Sequence, residues 1–178
     1  MASFLIVPGR GDSGPGHWQS IWQSRLAAER VFQRDWERPQ LVAWTRSVIR
    51  CIDARDEPPI LVAHSFGCFA AVAAAARRPM RVRGLFLAAL ANPARFPDDS
   101  VALPSARLSA PSVLVTSQDD PWLSEETAAA WARLWGCCRI PAGRAGHINA
   151  DSGHGEWPWG RAQLERLVDA TADVSSPL

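Results

Sequence analysis

The stretch "PPILVAHSFGCFAAVAAAA", Pro58 to Ala76, joins two different side-chain patterns. Its first half is a short continuous apolar run, typical of a strand buried on both faces of a sheet, and predicts a strand at Ile60–Ala63. Its second half is rich in alanine, the best helix former, and predicts a helix at Phe66–Ala76. A serine, Ser65, therefore stands at the junction between a strand and a helix.

Short apolar runs alternate with helical patterns along the rest of the chain. Strands are predicted at Phe4–Val7, Val31–Gln33, Val82–Leu90, Ser112–Thr116 and Cys137–Ile140, and helices at His17–Glu29, Leu41–Ile52, Glu125–Leu134 and Arg161–Ala170. This alternation indicates the α/β class, with a mostly parallel sheet and helices on both faces. Right-handed crossovers would then place the carboxyl ends of all strands, and the loops that follow them, on one edge.

Composition narrows the class further. A length of 178 residues fits one domain, residues 1–178, and a hydrophobic content of 47% supports a folded core. The net charge of +1 gives no general attraction to nucleic acid or to anionic membranes. The four cysteines have no C-x-x-C spacing and no signal-peptide or membrane-span pattern is present, so we expect a cytoplasmic protein with reduced thiols and with neither metal nor other cofactor.

The pentapeptide "AHSFG", Ala63 to Gly67, fits the nucleophile-elbow pattern G-x-S-x-G except that alanine replaces the first glycine. In that pattern the strand turns abruptly into the helix with the serine at the apex, and the positions two before and two after it must be small. The helix start also offers free N–H groups that can stabilise an oxyanion. The alternative is a serine that caps an ordinary helix. His64 would point away from the serine hydroxyl and is assigned a structural role.

Two further side chains follow in the order expected for this motif, namely serine, acid and histidine. "SVLVTSQDDPW" places Asp119 and Asp120 just beyond a strand, and we favour Asp120 because Asp-Pro-Trp-Leu opens the next helix. Asp119 is the alternative acid, and one of the two could instead serve a turn or a helix cap. "AGRAGHINADSG" places His147 in a glycine-rich loop after the last strand, with His154 as the second choice of base.

With these residues in place, the chain resembles the α/β-hydrolase superfamily and, within it, the compact serine-hydrolase family that includes retinoblastoma-binding protein 9-like hydrolases. Four motifs are similar to that family's pattern and spread across nearly the whole chain: "VPGRGDSGPGHWQSIW", "VAHSFGC", "TSQDDPW" and "GHINADSG". The resemblance implies a single α/β-hydrolase domain without a large cap, and a triad of Ser65, His147 and Asp120. It does not imply a substrate, because the fold hosts many chemistries.

The first loop admits a second interpretation. Gly9 to Gly14 reads G-x-G-x-x-G after a strand and before a helix, with Asp35 further on, which is the fingerprint of dinucleotide binding. However, Pro15 and Gly16 directly follow the third glycine, where the helix of such a site should already run. We favour the hydrolase interpretation because it accounts for both the loop and the triad.

The expected reaction is cleavage of small carboxylic esters through an acyl-enzyme on Ser65; amides and thioesters would use the same groups. The N–H groups of Phe66 and of Gly9 or Arg10 would stabilise the oxyanion. A non-catalytic interaction module on the same fold is the alternative from another class. The loop at Ala91–Pro111 would shade the site. Three tryptophans would line a small apolar acyl pocket: Trp122, Trp157 and Trp159.

Overall fold

The computed structural model describes residues 2–96, 105 and 107–172. These residues form six strands and five α-helices. The strands are β1 (Phe4–Val7), β2 (Glu29–Arg30), β3 (Ile60–Ser65), β4 (Gly84–Leu90), β5 (Ser112–Thr116) and β6 (Cys138–Pro141). The helices are α1 (Trp18–Arg25), α2 (Leu41–Asp53), α3 (Phe66–Arg77), α4 (Glu125–Trp135) and α5 (Pro158–Ala172).

The six strands form one sheet in the order β2-β1-β3-β4-β5-β6, and every neighbouring pair is parallel. The apolar runs explain this arrangement, because all seven residues of β4 and all five of β5 are buried. Strands that are buried along their whole length need helices on both sides. The predicted α/β class with a parallel sheet is therefore confirmed.

Two hydrophobic cores cover the two faces of the sheet. Alternate strand residues such as Leu61 and Leu85 pack against α2, α3 and α4. Their neighbours in sequence, such as Val62 and Phe86, pack against α1 and α5 on the other face. The alternation follows from the pleat of a strand, which sends successive side chains to opposite faces. With both faces covered, a ligand can approach the sheet at the ends of its strands, where the loops lie.

The outer strands differ most from the sequence prediction. β2 contains only Glu29 and Arg30, which pair with Leu5 and Ile6, so the strand predicted at Val31–Gln33 is wrong in position. The apolar side chains suggested that segment, but Phe32 is 75% exposed. The opposite border strand, β6, is also short and mostly exposed.

The loop between β4 and β5 contains a short 3₁₀ helix, Pro93–Arg95, and part of the predicted Ala91–Pro111 loop lies outside the described residues. No insertion among the described residues forms a separate cap over the carboxyl edge of the sheet. None of the helices in the described ranges combines the length and apolar character needed to cross a bilayer. Within the described ranges, the carboxyl edge is therefore bordered by loops rather than by a separate domain.

Candidate active site

Ser65 occupies a strained turn between β3 and α3. Its backbone has φ +54° and ψ −126°, a conformation that residues other than glycine rarely adopt. The pairing between β3 and β4 is irregular next to the serine: His64 pairs with Ala88, whereas Ser65 pairs with Leu90. The skipped residue, Ala89, also has a positive φ, +49°. The serine is thus held at the apex of an elbow, as the motif predicts.

The close approach of β1 requires glycine at position 67. A Cβ atom at this position would overlap the carbonyl oxygens of Val7 and Pro8. The crowding that requires glycine at position 67 thus comes from the end of β1 and from Pro8 directly after it. Ala63 of β3 is buried and pairs with Val7 of β1, so both small positions of the motif lie against the first strand.

The structure brings Ser65, His147 and Asp120 together. Nε2 of His147 lies 2.9 Å from Oγ of Ser65, and Nδ1 of the same ring lies 3.0 Å from each carboxylate oxygen of Asp120. The side chains of His147 and Asp120 are only 10% and 4% exposed. Shielding from water strengthens hydrogen bonds and ion pairs of this kind. The arrangement can move a proton from the serine hydroxyl to the imidazole.

Asp119 has different partners from its neighbour. Its Oδ1 accepts hydrogen bonds from the N–H of Gly146 at 2.9 Å and from the hydroxyl of Ser117 at 3.0 Å. These bonds lower the pKa of the Asp119 carboxyl, led by the bond from Gly146. Asp119 therefore holds the loop that carries the histidine, whereas Asp120 contacts the imidazole itself.

The histidine loop depends on a tight turn. Gly146 has φ +56°, and a Cβ atom there would lie 2.7 Å from Cβ of Ser152. The indole N–H of Trp18 donates to the carbonyl of Ile148 at 2.8 Å, so α1 also anchors this loop. His154, the second choice of base, contacts the hydroxyl of Ser152 through Nδ1 at 3.1 Å. Of the two candidate bases, His147 is the one that contacts the hydroxyl of Ser65.

The loop after β1 lies against the nucleophile. A Cβ atom on Gly9 would lie 2.8 Å from Cβ and 3.4 Å from Oγ of Ser65, so only glycine lets the loop approach this closely. Further along, Asp12 forms an ion pair with Arg30 at 2.6 Å, and the same guanidinium donates to the carbonyl of Ser13 at 3.0 Å. This side chain from β2 thus fixes the loop that was predicted to supply an oxyanion donor.

Phe66 and Arg10 both line the cavity beside the serine. Phe66 is the first residue of α3, and amides in the first turn of a helix have no partner within it. Of the predicted donors, Phe66 and Arg10 thus line the cavity and Gly9 lies against Ser65. Their backbone N–H groups are the candidates for holding a negative oxygen.

Gln19 is a buried polar residue that no sequence pattern indicated. Gln19 is completely buried, and its side-chain amide donates to the carbonyls of Val7 and Val62 at 3.3 and 3.0 Å. Its side-chain oxygen accepts from the hydroxyl of Ser13 at 2.7 Å. Gln19 therefore ties two strand ends to the first loop. No local signal distinguishes it from an exposed helical glutamine, since its partners are distant in sequence.

Two further histidines stand beside the triad. Burial, helped by Arg30, lowers the pKa of His17 from its usual 6.5 to about 4. Burial also lowers the pKa of His64, with His147 adding to the effect. The Nε2 atom of His64 lies 2.9 Å from the carbonyl oxygen of His147. His64 thus braces the backbone of the base, in agreement with the structural role expected for it.

The cavity at Ser65 has a volume of about 720 Å³. Trp122, one of the three tryptophans expected to line an acyl pocket, lies in its wall beneath the guanidinium of Arg95, whose central carbon is 4.3 Å from the indole centre. Trp157 and Trp159 do not line it, which corrects that prediction. Trp157 packs into the core, where its ring stacks on Trp22 at 5.5 Å, and Trp159 lies on the surface, 43% exposed.

The dinucleotide interpretation of the first loop does not fit the geometry. α1 begins at Trp18, after a turn of three residues that follows Gly14, whereas a pyrophosphate-binding helix starts at the third glycine. The sheet order 2-1-3-4-5-6 also differs from the 3-2-1-4-5-6 order of the dinucleotide fold. The carboxylate of Asp35 accepts from the N–H groups of Glu37 and Arg38, so it is used in a turn.

The parallel sheet and the serine elbow define an α/β hydrolase. The family profile of the serine hydrolases matches residues 4–166, and the chain belongs to this family. The expected membership of an α/β serine-hydrolase family is thereby confirmed. No curated protein matches the chain by sequence.

Several solved structures share the fold. A YdeN-like hydrolase from Pectobacterium atrosepticum is 33% identical over 96% of this chain and 92% of its own, with a TM-score of 0.90. The ydeN gene product from B. subtilis is 20% identical over 95% and 100% of the two chains, with a TM-score of 0.79. Est1E from Butyrivibrio proteoclasticus, solved with ferulic acid bound, is 14% identical over 97% and 90%, with a TM-score of 0.75.

Proposed function

We propose that this serine hydrolase cleaves small carboxylic esters through a triad of Ser65, His147 and Asp120. The observation that carries the proposal is the unbroken chain of contacts from serine hydroxyl to imidazole to carboxylate, at 2.9 and 3.0 Å. A serine hydroxyl is a weak nucleophile without a base, and the base must be held in one tautomer by an acceptor on its other nitrogen. Both conditions are met by these contacts.

Acylation begins when Oγ of Ser65 attacks the carbonyl carbon of the ester. The hydroxyl proton passes to Nε2 of His147, while Nδ1–H of the same ring donates to Asp120, which stabilises the imidazolium. The tetrahedral intermediate collapses, the bond to the alcohol oxygen breaks, and the imidazolium returns its proton to that oxygen. The products of this half are the free alcohol and an acyl-enzyme on Ser65.

Deacylation follows the same steps with water as the nucleophile. His147 takes a proton from water, the hydroxide oxygen attacks the acyl carbonyl, and the imidazolium then protonates Oγ of Ser65 as it leaves. The carboxylic acid is released and the resting state returns. Thioesters and amides would follow the same steps, although an amide has a poorer leaving group.

In each half, negative charge develops on the former carbonyl oxygen. The backbone N–H of Phe66 and one from Gly9 or Arg10 are proposed to hold it, because Phe66 and Arg10 line the cavity and Gly9 lies against Ser65. Donors that are fixed before the reaction need no reorganisation, and loss of one typically costs about 10² to 10³ in turnover.

The size of the cavity supports a small-molecule substrate. A volume of about 720 Å³ lies within the range of sites for small ligands. The apolar part of the wall, Trp122 and Phe96, would contact the acyl group, whereas Arg10 lies on the side of the oxyanion loop. We expect short acyl chains, since no cap among the described residues extends the cavity.

A fluorophosphonate probe tests the nucleophile. The wild type should form a covalent adduct, visible as a mass increase of the intact protein, and should hydrolyse p-nitrophenyl butyrate. Ser65→Ala should lose both, with turnover reduced on the order of 10⁶. Ser124→Ala is the matched control, because this serine caps α4 and does not line the cavity.

Equal labelling of the wild type and Ser65→Ala would defeat the proposal, as would absence of labelling in both. The second result would favour a non-catalytic interaction module on this fold. If the chain instead bound a dinucleotide, NAD(H) should raise its melting temperature.

A further inference from the structure

Two histidines that the proposed reaction does not use line the same cavity as Ser65. His17 and His64 are only 6% and 5% exposed, yet both form part of the cavity wall. Their ring centres lie 4.8 Å apart with the planes at 65°. Buried polar side chains at a ligand cavity usually have a hydrogen-bonding role, because burying them without partners is costly.

The hydrogen bonds of the two rings fix their tautomers. Nδ1 of His17 accepts from the N–H of Gln19 at 3.1 Å, so this nitrogen carries a lone pair and the proton of the neutral ring is on Nε2. Nε2 of His64 lies 2.9 Å from the carbonyl oxygen of His147, which can only accept, so Nε2 carries the proton and Nδ1 the lone pair.

One nitrogen of each ring is left over. Nε2–H of His17 is a donor and Nδ1 of His64 is an acceptor, and neither has a hydrogen-bond partner in the part of the chain that the structure describes. Burial lowers the pKa of both residues, so both rings are uncharged near neutral pH. The wall beside the nucleophile therefore offers one donor and one acceptor on two adjacent neutral rings.

We infer that His17 and His64 form a subsite for a substrate hydroxyl group close to the scissile carbonyl. This inference rests on the proposed function. A hydroxyl can accept from His17 and donate to His64 at the same time. A carboxylate could only accept and an ammonium could only donate, so each would leave one ring nitrogen unsatisfied. The site is thus suited to hydroxylated esters rather than to charged ones.

The hydroxyl could belong to either half of the ester, and paired substrates distinguish the two. Glyceryl monobutyrate against propyl butyrate tests a hydroxyl on the alcohol half. Ethyl 3-hydroxybutyrate against ethyl butyrate tests one on the acyl half. In one of the two pairs the hydroxylated ester should have a kcat/KM about tenfold higher, which corresponds to the usual net value of a hydrogen bond.

The variant His17→Asn separates the subsite from the helix cap. Asparagine is a good N-cap and can still accept from Gln19, but its shorter side chain removes the donor from the cavity wall. The preference for the hydroxylated ester should fall to about one. Ser124→Asn exchanges the cap of α4, away from the cavity, and should keep the preference of the wild type.

The outcomes separate this inference from the proposed function. If Ser65 is labelled and the esters are hydrolysed without a hydroxyl preference in either pair, the subsite is refuted and the hydrolase stands. A preference that survives in His17→Asn also refutes it, as does a stronger preference for monoethyl succinate, which carries a carboxylate. If neither labelling nor hydrolysis occurs, the proposed function fails and the subsite fails with it.

Discussion

The hydroxyl oxygen of Ser65 lies 2.9 Å from Nε2 of His147, although the two residues are 82 positions apart in the chain. β3, which ends at the serine, and β6, which precedes the histidine loop, are not neighbours in the sheet, because β4 and β5 lie between them. The loop must therefore reach back across two strands. Hydrogen bonds from Trp18 to Ile148 and between His64 and the His147 carbonyl hold it there.

The two adjacent aspartates should respond differently to the same substitution. Asp120→Asn removes the negative charge that orients and stabilises the imidazole, and kcat should fall by about 10⁴. Asp119→Asn keeps an amide oxygen that can accept from Gly146 and Ser117, so kcat should fall by less than about tenfold. Steady-state hydrolysis of p-nitrophenyl butyrate compares them, and a larger loss in Asp119→Asn would reverse the assignment.

Gly9→Ala should impair catalysis directly. The new Cβ would lie 2.8 Å from Cβ of Ser65, so either the loop or the serine must move, and displaced oxyanion donors typically cost about 10² or more in kcat. Gly16→Ala is the control, because no atom lies within 4 Å of a Cβ built there. Circular dichroism checks that both variants fold, and equal kcat values in the two would contradict the role of the loop.

Trp122→Ala should change the preference for acyl length. Loss of this apolar wall removes contact area, so the ratio of kcat/KM for p-nitrophenyl hexanoate over acetate should fall about tenfold. Trp159→Ala is matched in exposure, since both side chains are 43% exposed, but Trp159 does not line the cavity. An unchanged ratio in Trp122→Ala would remove this residue from the acyl site.

Acid should destabilise the protein partly through His17. Its pKa of about 4 in the folded state lies below the usual 6.5, so between these values the unfolded chain binds more protons and stability falls as pH falls. From pH 7 to pH 5 this residue should account for a loss of about 2 kcal/mol in the free energy of unfolding.

Urea unfolding at the two pH values measures that loss. His17→Asn lacks the titrating group, and its stability should therefore decrease less between pH 7 and pH 5 than that of the wild type. Ionisable groups that do not interact with His17 titrate alike in both proteins and cancel in the comparison. Equal decreases would show that His17 does not carry this pH dependence.

Continuous apolar runs made the central sheet predictable. β5 was predicted with its observed bounds, Ser112–Thr116, because a strand buried on both faces is a short, continuous apolar run. β2 was not, since its two residues are charged and their pairing with β1 depends on tertiary contacts. α5 also begins three residues before the predicted Arg161, at Pro158, because proline fits the first turn of a helix.

The residues now proposed to form the triad were predictable from motif order, whereas the groups around them were not. Trp122 and Trp157 look equivalent in sequence, yet one lines the cavity and the other fills the core. The partners of Gln19 and His64 lie up to 83 positions away, and such distances leave no periodic signal. The sequence alone therefore could not predict these long-range polar contacts.

The short edge strands of the sheet affect whether copies of this protein associate through β-strand pairing at high concentration. β2 offers only two residues of open backbone, and β6 ends in Pro141, which has no N–H to donate. A strand from a second chain could therefore form few backbone hydrogen bonds with β2 or with β6. Fibre growth by strand addition is thus disfavoured even in concentrated preparations.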